Sequence, residues 1–288
     1  MTNLPPSPEP ETVNQQETGG SRSAASCYAS SCGRVTLYLG DFLDIAPTLG
    51  SVDALISDPP YGMTDGKWDT VPDLTKLWEI AREKVAGACV MTASQPFTTD
   101  LINSNRADFR YSWVWDKGSA ANFASVAFMP LRIHEDVLVF RKGAYNPQRT
   151  QGPKNHSRSV TLQARQSENI RTPMLQIASD QSGMKWPTTI LSFPKHTSRE
   201  RNHPTEKPVP LFAYLVETYS DPGATVLDPF MGSGTTGIAA IRTGRRFVGI
   251  ERDPGHYATA LERIRRELEG DLFHSQHNDL AQTRRAGD

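Results

Sequence analysis

Short apolar runs that suit β-strands alternate with segments of helical periodicity along most of this chain. The strand signals cover 35–39, 52–57, 88–92, 111–115, 136–141, 224–228 and 247–250, and the helical signals cover 72–86, 97–104, 211–219, 235–243 and 253–268. This alternation predicts an α/β fold with a mostly parallel sheet and helices on both faces. Ligands of such folds bind beyond the carboxyl ends of the strands, so we expect functional residues directly after strands.

Composition divides the chain further. Residues 1–33 are rich in Pro, Ser, Glu and Gln and hold few large apolar side chains, which predicts a disordered N-terminal arm. The α/β domain is expected over 34–270, followed by a polar C-terminal tail at 271–288. Inside the domain, 142–201 has weak periodicity and is interpreted as an insertion.

The insertion is basic although the whole chain has a net charge of only −1. Residues 141–201 contain eleven Lys and Arg against three acidic residues, a net charge of +8. Such a cluster is either a solvated loop or a surface that contacts nucleic-acid phosphates. The sequence alone leaves both interpretations open.

Other classes of protein are disfavoured. No run approaches 18 consecutive apolar residues, and the N-terminus lacks the basic start and apolar stretch of a signal peptide, so we expect a soluble cytoplasmic protein without a membrane partner. Cys27, Cys32 and Cys89 are too few for a disulfide framework. Cys27 and Cys32 also lack the further ligands of a zinc site, so no metal is expected.

Asp58-Pro59-Pro60-Tyr61 stands directly after the apolar run 52–57. A carboxylate, two prolines that stiffen the backbone and an aromatic ring at a strand end make a small rigid clamp. That clamp suits a planar ring with an amine, such as a nucleobase. Alone, the tetrapeptide also fits a simple proline-stiffened turn.

A second motif, Asp228-Pro229-Phe230-Met231-Gly232-Ser233-Gly234-Thr235-Thr236, lies between a predicted strand and a helix. Its glycines let the backbone approach a ligand, and the helix start offers unpaired N–H groups. Residues 232–237 also satisfy the G-x-G-x-x-G pattern of NAD-dependent oxidoreductases, with Glu251 about 20 residues on for a ribose.

Two features favour S-adenosylmethionine over NAD. The dinucleotide motif turns directly from strand to glycine, whereas the four residues 228–231 intervene here. The acidic Asp228 suits the cationic end of S-adenosylmethionine, and Glu251 can accept hydrogen bonds from its ribose hydroxyls.

Taken in order, the motifs resemble those of the beta group of DNA amino-methyltransferases, which modify adenine N6 or cytosine N4. In that group Asp-Pro-Pro-Tyr precedes Phe-x-Gly-x-Gly. The matching segments are 40–41, 58–62, 94–97, 115–117, 134–135, 203–208, 228–234 and 249–251. The group usually has Asn after the catalytic Tyr, where this chain has Gly62.

The resemblance implies a Rossmann-like methyltransferase fold with S-adenosylmethionine as cofactor. The cofactor-binding residues that it implies are Asp41, Phe42, Thr205, Lys207, Asp228, Phe230, Gly232, Ser233, Gly234, Thr235 and Glu251. Asp41 and the Phe42 backbone would hold the adenine of the cofactor, although Asp41 could instead cap its own turn. Thr205 and Lys207 would lie near the methionine carboxylate.

The catalytic residues implied are Asp58, Pro59, Pro60 and Tyr61. The target base would be flipped out of the duplex, and the Asp58 carboxylate and Pro59 carbonyl would accept hydrogen bonds from its amine. Tyr61 would stack on the base, and the methyl group would transfer directly. Asp at the first position favours adenine N6, because cytosine-N4 members usually begin with Ser.

The expected partner is double-stranded DNA, contacted by the basic segment 142–201. A cytosine-N4 methyltransferase, an RNA or protein methyltransferase, an NAD-dependent oxidoreductase and a non-catalytic DNA-binding relative stay open as alternatives. A homodimer and a cognate restriction endonuclease also stay open.

Overall fold

The computed structural model describes residues 26–64, 66, 69–152, 184–194 and 207–285. The chain divides into two compact units. The larger consists of Met1–Asn146 and Thr189–Asp288, and the smaller of Pro147–Thr188. Every described residue of the predicted site belongs to the larger unit.

The secondary structure follows the predicted alternation. The strands are β1 (Ser26–Ala29), β2 (Val35–Leu39), β3 (Ala54–Ser57), β4 (Cys89–Ala93), β5 (Phe109–Ala121), β6 (Arg132–Phe140), β7 (Thr150–Gln151), β8 (Met184–Lys185), β9 (Ile190–Ser192), β10 (Thr225–Asp228) and β11 (Arg246–Glu251). The helices are α1 (Phe42–Ile45), α2 (Leu74–Lys84), α3 (Phe97–Ser104), α4 (Val209–Tyr219), α5 (Thr235–Arg242) and α6 (Pro254–Arg285), with short 3₁₀ helices at Ala46–Thr48 and Phe123–Ser125.

The described strands of the larger unit form one nine-stranded sheet in the order β1-β2-β11-β10-β3-β4-β6-β5-β9. The pairs β1–β2, β4–β6 and β5–β6 are antiparallel, and the other five pairs are parallel. The prediction of a mostly parallel α/β sheet is therefore confirmed.

Two apolar cores cover the two faces of the sheet. Every residue of the central strands β3 and β4 is buried. Along β3, Ala54 and Ile56 pack in the core that holds buried residues of α4, α5 and α6. Leu55 packs in the opposite core with residues of α1, α2 and α3. Burial on both faces explains why these strands are nearly continuous apolar runs in the sequence.

The structure differs from the prediction at both ends of the domain. Within the predicted disordered arm, Ser26–Ala29 form the edge strand β1, which pairs antiparallel with β2; residues 1–25 lie outside the described residues. At the other end, α6 continues to Arg285 through the predicted polar tail. An edge strand such as β1 buries few of its side chains, and a helix such as α6 satisfies its backbone by its own hydrogen bonds. Both can therefore form without the apolar pattern on which the prediction relied.

The β5–β6 hairpin is longer than its apolar pattern of 111–115 and 136–141 indicated. It pairs from Phe109↔Phe140 to Ala121↔Arg132. Charged residues in the outer part of both strands interrupt the apolar pattern there. Because Ala93, the last residue of β4, pairs with Asp136, the outer part of the hairpin extends past the carboxyl end of β4.

The predicted insertion 142–201 is only partly a separate unit. In the smaller unit, β7 and β8 pair antiparallel, and the Arg149 guanidinium lies 4.7 Å from the Trp186 ring centroid. The strand β9, in contrast, belongs to the main sheet and pairs parallel with β5. The sequence did not predict β9, because a strand of only three residues inside a polar stretch is too short to show the alternation of apolar and polar residues. The segments 153–183 and 195–201 lie outside the described residues.

Among the described ranges, no helix combines the length and the apolar character needed to cross a bilayer. This includes α6, the longest at 32 residues.

The loop after β3 is organised by one carboxylate, that of Asp69, whose residue is only 7% exposed. Its Oδ1 accepts hydrogen bonds from the backbone N–H groups of Tyr61 and Gly62, both at 2.9 Å. Its Oδ2 accepts from those of Met63 at 2.8 Å and Thr64 at 2.7 Å. Burial raises the pKa of Asp69, but these hydrogen bonds outweigh burial and hold the pKa below its ordinary value.

We predict that Asp69→Asn destabilises the protein. An amide nitrogen cannot accept a hydrogen bond, so at least one of these part-buried N–H groups loses its acceptor, at a cost of about 1 kcal/mol or more in the free energy of unfolding. Urea denaturation at pH 7 measures this cost. Asp100→Asn, on the exposed side of α3, is the control and should change little.

The same carboxylate predicts a pH dependence. Its folded pKa lies below its unfolded value of about 4, so its stabilisation is present above that value and is lost as the pH falls through the folded pKa. The stability difference between the wild type and Asp69→Asn should therefore shrink below about pH 4. A difference that stays constant down to pH 3 would contradict this role.

Candidate active site

A cavity of about 430 Å³ opens at the carboxyl ends of β2, β3, β10 and β11. Its volume is within the range of small-molecule sites, about 300–1,000 Å³. The lining segments, 40–43, 58–61, 229–233 and 251–252, each come at or directly after the end of one of these strands. The parallel sheet therefore gathers at one edge segments that are far apart in the sequence.

Thirteen of the fifteen predicted site residues line this cavity: Asp41, Phe42, Asp58, Pro59, Pro60, Tyr61, Lys207, Asp228, Phe230, Gly232, Ser233, Thr235 and Glu251. Gly234 does not line it, and Thr205 lies outside the described residues. Gly234 faces α6 instead, where an added Cβ would lie 3.2 Å from the Ala260 Cβ.

The glycine loop needs its glycines for backbone conformation. Gly232 has φ = 51° and Gly234 has φ = 83°, both in the left-handed region that residues with a Cβ rarely adopt. These two turns direct the chain from β10 into α5, which begins at Thr235. The Arg263 guanidinium fastens the loop from α6 by donating to Ser233 O at 2.6 Å and to Ser233 Oγ at 2.9 Å.

Asp228 holds the start of this loop and is only 1% exposed. Its Oδ1 accepts hydrogen bonds from Ser57 Oγ at 2.5 Å and from the Phe230 backbone N–H at 3.0 Å. Its Oδ2 accepts from Thr236 Oγ1 at 2.5 Å. Burial raises the pKa of Asp228 to about 7 in spite of these bonds. The structure thus gives Asp228 a positioning role that the sequence did not indicate.

Glu251 fastens the other side of the loop. Its Oε2 accepts from the Gly232 N–H at 2.9 Å and its Oε1 from the Asp253 N–H at 2.8 Å. Burial raises the pKa of Glu251, and these bonds oppose the rise. Each carboxylate oxygen has a further lone pair, so Glu251 can also accept hydrogen bonds from a ligand in the cavity.

Two aromatic rings form an apolar part of the cavity wall. The centroids of Phe42 and Phe230 lie 4.9 Å apart at an interplanar angle of 68°. Next to them, Asp41 Oδ1 accepts from the Leu43 N–H at 2.9 Å and caps α1. Asp41 therefore does cap its own turn, as the alternative interpretation held, while it also lines the cavity.

Asp58 accepts three hydrogen bonds on a single oxygen. Its Oδ1 accepts from Tyr61 OH at 2.8 Å, from Lys207 Nζ at 2.7 Å and from Thr92 Oγ1. Its Oδ2 has no partner among the described residues. The side chain is 28% exposed, so this second oxygen leaves the carboxylate able to accept from a ligand.

Behind Asp58 lies a buried pair that the prediction did not select, Glu135 and Lys117. Glu135 Oε1 lies 3.2 Å from Lys117 Nζ, and Glu135 Oε2 lies 3.2 Å from Lys207 Nζ and 3.4 Å from Tyr61 OH. The two lysines balance the charges of Asp58 and Glu135. The sequence signal for both Glu135 and Lys117 was the match of segments 115–117 and 134–135 to the methyltransferase group.

Charge attraction sets the protonation of this cluster. Burial lowers the pKa of Lys207, but Asp58 and Glu135 raise it by more, so Lys207 stays charged. Burial, together with the same two carboxylates, raises the pKa of Tyr61 well above its ordinary value, so its hydroxyl stays protonated as a donor. Lys207 was predicted near a methionine carboxylate; in the structure its ammonium contacts Asp58 and Glu135.

Clustered metal ligands and reactive thiols are two further kinds of catalytic group to consider in the described residues. Among them no group of three or more His, Cys, Asp or Glu side chains could hold a metal ion. Cys89 is fully buried in β4, and burial raises the pKa of its thiol to about 12. A thiol in that state is a poor nucleophile at neutral pH.

One curated relative matches this chain over most of its length, and another matches a short segment. The type II methyltransferase M2.DpnII of Streptococcus pneumoniae is 26% identical over 242 residues, which cover 76% of this chain and 84% of that protein. YubD of Escherichia coli (strain K12) is 46% identical over 67 residues, or 23% of this chain, and the match spans only 30% of YubD.

Solved structures share the fold. The M1.HpyAVI complex with SAM has a TM-score of 0.56 at 22% identity and covers 80% of this chain and 98% of that chain. The cytosine-N4-specific PvuII DNA methyltransferase has a TM-score of 0.57 at 15% identity and covers 85% and 94%.

The family comparison extends over most of the domain. Residues 52–262 match the model of the N6 and N4 methyltransferase family, described as DNA methylase. This range includes Asp58, the glycine loop and Glu251. The chain therefore belongs to the N6/N4 DNA methylase family.

Proposed function

We propose that this protein transfers a methyl group from S-adenosylmethionine to the N6 amine of adenine in double-stranded DNA. The observation that carries the proposal is that the Asp58 clamp and the glycine loop line one cavity. A methyl donor held by the loop and an amine held by the clamp would then meet inside it.

The cavity suits the parts of S-adenosylmethionine. Glu251 has lone pairs left for ribose hydroxyls, and the rings of Phe42 and Phe230 offer an apolar wall for the adenine. The first turn of α5 leaves backbone N–H groups without a partner inside the helix, and these would suit the methionine carboxylate. M1.HpyAVI, which shares the fold, has been solved as a SAM complex.

The Asp58 side chain suits an amine. Oδ1 is already held by Tyr61, Thr92 and Lys207, which leaves Oδ2 for one amine hydrogen. The Pro59 carbonyl, which accepts no hydrogen bond from the described residues, would take the other. Two acceptors in these places draw the nitrogen toward tetrahedral geometry and direct its lone pair at the methyl group.

Both groups would be aligned before the reaction begins. Holding reacting groups in a near-attack arrangement is worth on the order of 7–11 kcal/mol. The target base would reach the cavity by leaving the duplex, at a cost of a few kcal/mol.

Adenine is favoured over cytosine by the residue at position 58. Asp at the start of the clamp is the form that the adenine-N6 members of the family usually have. Cytosine N4 is the alternative, since PvuII methyltransferase, whose fold is similar, is cytosine-N4-specific.

Duplex DNA would contact the basic segment 142–201. In its described part, Arg149 packs on Trp186, whose side chain is 51% exposed. A cation beside an exposed aromatic ring suits a surface that meets both phosphates and bases. A companion restriction endonuclease would fit the likeness to a type II methyltransferase.

We predict that Asp58→Ala lowers methyl transfer by at least about 100-fold, because removal of one transition-state partner costs about 10²–10³ in rate. The measurement is incorporation of radioactive methyl groups from S-adenosylmethionine into unmethylated genomic DNA. Cofactor affinity should change by less than about threefold, and Asp100→Ala should behave as the wild type. Methylation by Asp58→Ala at a rate near that of the wild type would refute the mechanism.

Cofactor binding gives a separate prediction. Titration calorimetry should detect binding of S-adenosylmethionine and none of NAD. Phe230→Ala should weaken S-adenosylmethionine binding by about tenfold, since stacking on an aromatic ring is worth about 1–3 kcal/mol. The exposed Phe123→Ala variant is the matched control. NAD binding with no response to S-adenosylmethionine would favour an oxidoreductase instead.

A further inference from the structure

The tip of the β5–β6 hairpin carries an unusual share of exposed apolar side chains. Of the twelve large apolar residues that are exposed in the described part of the chain, five lie within 123–133. Their exposed fractions are 66% for Phe123, 60% for Val126, 90% for Phe128, 47% for Met129 and 51% for Ile133. A local cluster of this kind marks an interaction surface more often than a single exposed residue does.

Hydrogen bonds hold the tip in a defined shape. The Asn122 side chain closes it, since its Oδ1 accepts from the Arg132 N–H at 2.8 Å and its Nδ2 donates to Pro130 O at 3.3 Å. Inside the loop, the backbone N–H groups of Phe128 and Met129 donate to Ser125 O at 2.9 Å and 3.1 Å. The apolar side chains are therefore presented on a closed turn.

The same hairpin is anchored in the active site. Lys117 on β5 and Glu135 on β6 belong to the cluster that holds Asp58 and Lys207. Only four residues follow Lys117 before β5 ends, and Arg132, where β6 begins, is three residues before Glu135. At about 3.4 Å per residue, the tip begins about 10 Å beyond the catalytic cluster.

The charge of the hairpin suits DNA. From Lys117 to His134 the sequence contains no Asp or Glu. Lys117 is buried against Glu135, so Arg132 is the cation that this segment offers to phosphates. Phosphates can approach such a segment without repulsion. Charge alone would also admit an acidic protein, and the short distance from the active-site cluster is what selects DNA.

We propose that the loop 122–131 is a wedge that enters duplex DNA beside the target base pair, with Phe128 at its apex. This inference rests on the proposed function. A base that leaves the stack opens a gap, and an apolar side chain that fills the gap recovers part of the lost stacking. Phe128 is the most exposed large apolar residue described, and its loop begins close to the cavity that would receive the base.

The test compares two synthetic duplexes that contain the recognition sequence, read beforehand from DNA that the enzyme has methylated. In one duplex the target base is paired, and in the other it faces an abasic site and needs no unpairing. Phe128→Ser should lower kcat/KM at least about tenfold on the paired duplex and less than about threefold on the abasic one, because unpairing costs a few kcal/mol. Asp100→Ser, at an exposed position of α3 outside the cavity and the basic segment, should match the wild type on both.

Each other outcome is decisive. Equal losses on both duplexes, or none on either, would overturn the wedge. It would also be overturned if the wild type sediments as a dimer and Phe128→Ser as a monomer, because a second copy then covers the tip. If the wild type leaves no methylated DNA from which the recognition sequence can be read, the proposed function itself is refuted. Unchanged S-adenosylmethionine affinity in Phe128→Ser checks that the variant is folded.

Discussion

The hydrogen bond from Ser57 Oγ to Asp228 Oδ1, 2.5 Å long, joins the ends of two neighbouring parallel strands 171 residues apart in sequence. The clamp begins at the next residue after Ser57, and the glycine loop begins at the next residue after Asp228. Because β3 and β10 pair in register from Ala54↔Val226, the two motifs have to emerge side by side at one edge of the sheet. The rest of the site is arranged around this junction.

Asp69, Asp228 and Glu251 hold the backbone of the site, and a fourth carboxylate, that of Asp58, would take part in the chemistry. Asp69 gathers the N–H groups after the clamp, and Glu251 fixes Gly232 in the glycine loop. Asp58 is held by one oxygen, with Lys207 as its charge partner and Glu135 behind. Interactions within the folded protein thus orient the clamp, and the methyl acceptor meets a site that is already ordered.

Sequence reasoning succeeded where a short motif carries its own geometry and fell short where the geometry comes from tertiary packing. The clamp and the glycine loop follow from strand ends and φ angles, which are local. Glu135 lies in a segment that matches the family, but its role comes from partners brought in by the fold, and Asp69 lies in no matching segment, so the sequence alone assigned neither residue to the site. The length of the β5–β6 hairpin was underestimated because the outer parts of its strands carry polar residues. These residues belong to the active site and interrupt the apolar alternation that marks a strand.

The most direct test is to express the wild type and Asp58→Ala in a bacterial host that lacks DNA methylation and to sequence the host DNA for modified bases. The wild type should leave N6-methyladenine at one short recurring sequence, and Asp58→Ala should leave none. N4-methylcytosine in its place would contradict the assignment of the clamp to adenine. Unmodified DNA from the wild type, with the protein folded and cofactor bound, would contradict the proposed methyl transfer.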